Sequence, residues 1–112
     1  MKIIDLSNSS DLTKFEDFKV VPNLERLILE GIKLLTIDDS ITSLEKLIIL
    51  NLASCTSLKK LPKSIKGMNS LEILNLNDCL ELWELPEDCG HLKSLKEVDV
   101  RDSGIDVVDT AS

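Results

Sequence analysis

The hydrophobic positions of this chain recur on a fixed spacing. From Leu71 to Leu82, LEILNLNDCLEL, anchors stand at Leu71, Leu74, Leu76, Cys79 and Leu82. The same pattern stands 24 residues earlier at Leu47, Leu50, Leu52, Cys55 and Leu58. The second and third anchors of each unit are two apart, so they point to one side of a short strand while their neighbours point to the other. One such strand cannot bury its face alone. Parallel copies stacked at about 4.8 Å share a continuous core.

The pattern runs along the whole chain, with repeats starting at 1, 24, 47, 71 and 95 and spacings of 23, 23, 24 and 24. Repeat one carries Met1, Ile4, Leu6, Leu12, Phe15, Phe18 and Val21, and repeat two carries Leu24, Leu27, Leu29, Leu34, Ile37, Ile41 and Leu44. Repeat five opens with Leu95, Val98 and Val100. A fixed period of roughly 20–29 residues with these anchors is the signature of a leucine-rich repeat. The expected fold is an α/β leucine-rich-repeat solenoid, with residues 1–112 as one domain. It forms a short curved arc whose concave face is a parallel sheet of about five strands, about 20 Å across. Its convex returns are expected to be irregular, 3₁₀ or short-helical. Pro62 and Pro86 remove a backbone donor and fix φ, while Leu61, Ile65 and Met68 keep the spacing of a helical turn facing the core. Each shorter repeat has one residue missing from a loop, expected on the convex side.

Composition narrows the class. At 112 residues the chain holds one small domain. Its formal charge of −7 removes the electrostatic drive for nucleic-acid binding. No apolar run approaches the roughly 20 residues that span a bilayer, and Met1-Lys2 leads directly into repeat pattern rather than into a targeting leader. Three cysteines, two at a repeat anchor, suit reduced thiols in a cytoplasmic or nuclear setting. Neither nucleic acid nor membrane is therefore an expected partner.

The outward strand positions form three lanes across the expected sheet. One is Ile3, Arg26, Ile49, Ile73, Glu97; the next Asp5, Ile28, Asn51, Asn75, Asp99; the third Ser7, Glu30, Ala53, Asn77, Arg101. The centre is apolar or amide and the edges are charged, as a protein-binding patch requires. Candidate binding residues are Arg26, Ile28, Ile49, Asn51, Ile73, Asn75, Asn77, Glu97, Asp99 and Arg101. The plainer alternative is that exposed isoleucines favour strands. Cys55 and Cys79 hold equivalent inward positions, where a side chain caps the turn after the strand, and Cys89 replaces an Ile in the core stripe. With no C-x-x-C and His91 as the one histidine, no metal or cofactor site is expected. Lys59, Lys60, Lys63 and Lys66 form a basic cluster expected to pair across repeats with Glu84, Glu87 and Asp39. Trp83 is expected to pack over lysine stems. No catalytic constellation is present in the sequence, so an enzyme is not expected.

Three segments together resemble one family: PNLERLILEG at 22–31, LIILNLASCTSLKKLPKSI at 47–65 and MNSLEILNLNDCLELWELPED at 68–88. They are similar to the repeats of plant intracellular disease-resistance receptors, the nucleotide-binding type with a Toll/interleukin-1-receptor domain, in the tobacco mosaic virus resistance protein N-like group. IIDLSNSSDLTKFEDF resembles the first repeats of that region, and LKEVDVRDSGIDVV its shorter repeat. The departures are plain. No G-x-x-x-x-G-K-[ST] appears, Ile32 replaces the Cys or Asn of the anchor, and Ser9 and Ser103 fill it in repeats one and five. The resemblance implies a sensing or autoinhibitory module of plant innate immunity, contacting a pathogen effector or the receptor's own nucleotide-binding domain. The other readings are a stand-alone adaptor or decoy, and a purely structural solenoid segment. Met1 at a core anchor and an ending at Asp109-Thr110-Ala111-Ser112 suggest a fragment of a longer solenoid. They also suggest self-association through uncapped ends.

Overall fold

A computed structural model describes residues 3–5, 23–37, 39–86 and 92–105. Expectations for the rest of repeat one, for Ser7, Ser9, Glu87, Cys89 and His91, and for residues from 106 onward lie outside the described residues.

Five three-residue strands form the fold: β1 (Ile3–Asp5), β2 (Arg26–Ile28), β3 (Ile49–Asn51), β4 (Ile73–Asn75) and β5 (Glu97–Asp99). They pair in chain order as one parallel sheet, β1-β2-β3-β4-β5, so each repeat adds one strand beside the last. This is a solenoid. Hydrogen bonds extend the ladder past the strands: the amides of Leu29, Leu52 and Leu76 donate to the carbonyls of Asn51, Asn75 and Asp99 at 2.7–2.8 Å.

The anchors build the core. Leu27, Leu50 and Leu74 point inward from the strand centres and are buried, as are Leu29, Leu52, Leu76, Leu58 and Leu82. Ile4, Leu61, Leu85, Leu92, Leu95, Val98 and Val100 pack against this core and are only partly buried.

The returns carry little helix. A 3₁₀ helix spans Asp39–Ser43 with Ile41 buried beneath it, and among the described residues no α-helix accompanies it. Among the described residues the helical half of the expected α/β class reduces to that short element. Returns of this length have room for a turn or two, and those of repeats three and four each bury a proline, which cannot donate to a helical ladder. Backbone pairing serves there instead: Lys59 N–H donates to Leu35 O at 2.8 Å, beside a parallel bridge between Thr36 and Lys60.

That bridge also locates the missing residue of repeat two. Arg26 pairs with Ile49, an offset of 23, whereas Thr36 pairs with Lys60, an offset of 24. Gly31 and Ser54 share the turn position at an offset of 23, so the deletion lies between the turn anchor Ile32 and Thr36.

Candidate protein-interaction face

The register brings the first two outward lanes together. Ile3, Arg26, Ile49, Ile73 and Glu97 are successive cross-strand partners, and so are Asp5, Ile28, Asn51, Asn75 and Asp99. Ile28, Ile49 and Ile73 are half-buried, while Arg26 and Glu97 at the flanks are exposed. An aliphatic centre with charged ends is thus presented on the side of the sheet away from the core.

The lanes differ in what their side chains already do. Asn51 Oδ1 accepts from Ala53 N–H at 2.9 Å, Asn75 Oδ1 from Asn77 N–H at 3.0 Å, and Asp99 Oδ1 from Arg101 N–H at 3.1 Å. Each is an Asx turn that satisfies the second amide after the strand. Asn51, Asn75 and Asp99 are therefore engaged in holding their own turns, whereas Ile28 in the same lane and the isoleucines of the first lane carry no such acceptor. Ala53, expected to face outward, is buried. Its amide is tied to Asn51 and its carbonyl accepts from Gly31 at 2.9 Å, which tucks the small side chain into the turn.

The turns have a second feature that the reading of the sequence missed. Gly31, Ser54, Asp78 and Asp102 hold the same place and have φ of 75°, 60°, 64° and 58°. This left-handed conformation is free of steric penalty for Gly31 and mildly unfavourable for the others. The signal was present as a Gly, Ser or Asp one residue before the anchors Ile32, Cys55, Cys79 and Ser103.

That anchor caps across repeats. Cys55 Sγ donates to Leu29 O at 3.1 Å and Cys79 Sγ to Leu52 O at 3.0 Å. Both cysteines are buried and free. Burial pushes both thiols up, that of Cys79 to about 12, which suits packing groups rather than nucleophiles.

At the β5 end, Arg101 clamps Asp99 through Nε at 3.0 Å and Nη2 at 2.7 Å. The guanidinium hydrogen bonds hold the Asp99 carboxyl down at about 2, and the carboxylate in turn raises Arg101. Among the described residues no group of His, Cys, Asp and Glu is placed to hold a metal ion, and no helix is long and apolar enough to cross a membrane.

No family model matches the chain.

One expectation away from the sheet needs correction. Neither Lys60 with Glu84 nor Lys63 with Asp39 comes within ion-pairing distance; Lys96 with Glu72 at 3.5 Å and Arg101 with Asp99 at 2.7 Å do. An exposed pair gains too little to fix two long side chains. Trp83 is 56% exposed.

Proposed function

We propose that this chain is a leucine-rich-repeat segment acting as a non-catalytic protein-interaction module. In this reading it is the ligand-sensing or autoinhibitory repeat segment of a plant innate immune receptor, working in the cytoplasm. The observation that carries the interaction role is the pairing of Ile49 with Ile73 on the outer side of the sheet, with Ile28 one lane over and Arg26 and Glu97 at the ends. Half-buried aliphatics ringed by charge are suited to a partner that covers the centre and is oriented by the rim. Repeat pattern and family resemblance supply the immune context, with a pathogen effector or the receptor's own nucleotide-binding domain as partner.

The Asx turns favour a narrower version. Asn51, Asn75 and Asp99 each spend an acceptor on their own backbone, so in this version those three support their turns and binding centres on Arg26, Ile28, Ile49, Ile73 and Glu97.

A photo-crosslinking residue at position 73, compared with one at position 66, tests this in plant cytosol. A protein captured at 73 should be competed away by excess wild-type chain and not by the Ile49→Asp/Ile73→Asp chain. Equal capture from both positions, or equal competition by both chains, would refute it.

A further inference from the structure

A second surface lies on the return side, away from the sheet. Among the described residues the exposed large apolar side chains are Ile3, Leu35, Leu80 and Trp83, at 54–57% exposure. Three of these four belong to the segment that leaves the strand. The backbone pairing of Lys59 with Leu35 puts those two residues in one column, and Trp83 holds the same place one repeat further on. At the repeat spacing, Leu35 and Trp83 stand roughly 10 Å apart with Lys59 between them. The core does not use them, since Leu34, Leu58 and Leu82 fill the adjoining inward positions.

The neighbouring lysines have no ion-pair partner among the described residues. Lys59, Lys60, Lys63 and Lys66 are all exposed, and none is paired to a described carboxylate, unlike Lys96 and Arg101 on the sheet side. A groove of about 330 Å³ opens beside the column. Leu61, Pro62, Leu85 and Pro86 give it an apolar lining, with Lys60, Lys63 and Glu84 as its charged members.

We infer that this flank is a second interaction surface that takes an acidic protein segment carrying aliphatic or aromatic side chains. Its apolar groups would cover Trp83, Leu35 and the groove, and its carboxylates would meet Lys59, Lys60 and Lys63. Complementarity of this kind steers encounter and fixes register. An anionic bilayer fits less well. Glu81 and Glu84 flank Trp83 in sequence, so burying the ring among lipid headgroups would press like charges together, whereas a discrete segment can place its carboxylates on the lysine side alone. The surface is separate from the sheet face and stands or falls without it.

The chain has one Trp and no Tyr, so intrinsic emission reports on this patch directly. The full chain is titrated with a short synthetic peptide alternating Glu and Leu, with its Lys/Leu counterpart, and with phosphatidylcholine vesicles containing phosphatidylserine. The acidic peptide should shift Trp83 emission to the blue and saturate. Binding should weaken roughly tenfold in the Lys59→Glu/Lys60→Glu variant and fall with added salt, and should be unchanged by Ile49→Asp/Ile73→Asp. A circular-dichroism melt of each variant confirms that it is folded. No shift with the acidic peptide, an equal shift with the Lys/Leu peptide, or a shift with vesicles alone would overturn the assignment.

Discussion

The middle of the solenoid and its β5 layer use equivalent positions to different effect. Leu27, Leu50 and Leu74 lie at strand centres with 0%, 4% and 2% exposure, yet Val98, their register partner, is only half-buried. Cys55 and Cys79 reach across to the preceding repeat, whereas Ser103 at the same place turns back to Val100 O of its own repeat at 2.7 Å. Among the described residues, strands β2 to β4 have a neighbouring strand on each side and β5 has one. A repeat's own sequence supplies the apolar anchor, but the next layer supplies its burial. This is the behaviour of a quasi-one-dimensional fold whose stability sums over neighbour contacts.

The largest effect that could break this comparison is core truncation. Leu74→Ala should cost about 2–5 kcal/mol in chemical denaturation, and Val98→Ala about 1 kcal/mol, since less area leaves water. Equal losses would show that β5 is as well supported as β4.

Close backbone approach gives the next. A Cβ on Gly67 would meet Thr42 O at 2.7 Å, so Gly67→Ala should destabilise by about 1–3 kcal/mol through overpacking. Gly104 is more crowded, with Leu82 O at 2.7 Å and Leu80 O at 3.0 Å from such a Cβ, yet should lose less on the same change because the half-covered layer can shift. Thermal melts of the two variants decide.

The anchor position sharpens the contrast further. Cys79→Ala removes a buried cross-repeat hydrogen bond and should cost about 1–3 kcal/mol, against less than about 1 kcal/mol for Ser103→Ala. The Cys79 thiol also has a pH consequence. Its folded value is raised from 9.0 to about 12, so its contribution is fully present below pH 9 and is lost as pH rises toward 12. Wild type should lose stability faster than Cys79→Ala across that window.

The smallest effect is at the exposed Asp99–Arg101 pair. Asp99 is held down at about 2 from 3.8, so whatever it contributes is present above pH 3.8 and disappears as pH falls toward 2. Its NMR titration midpoint should return toward the ordinary carboxylate range in Arg101→Ala, with little change in overall stability.

Much of this was legible from spacing alone. The two-residue offset of Leu50 and Leu52, repeated at Leu74 and Leu76, fixes which side chains face the core, and the period fixes the lanes. The Asx turns were less visible, because Asn at an outward strand position looks the same whether it waits for a partner or bonds its own backbone two residues on. The Lys60–Glu84 and Lys63–Asp39 pairings misled for an energetic reason. Matching charges one period apart are easily written down, but an exposed pair must still outweigh the entropy of two long side chains. Trp83 gave no periodic signal, since Lys59 and Leu35 share its column.

Amide hydrogen exchange under native conditions tests most directly whether neighbours supply the burial. The donors to compare are Leu29, Leu52 and Leu76, each bonded to the next strand's carbonyl at 2.7–2.8 Å. If burial comes from neighbours, Leu29 and Leu52 in the middle should exchange slowly and together, and Leu76, bonded to the half-covered β5 layer, should exchange faster. Uniform protection across all three would mean that each repeat is stabilised from within, contrary to the neighbour-sum picture.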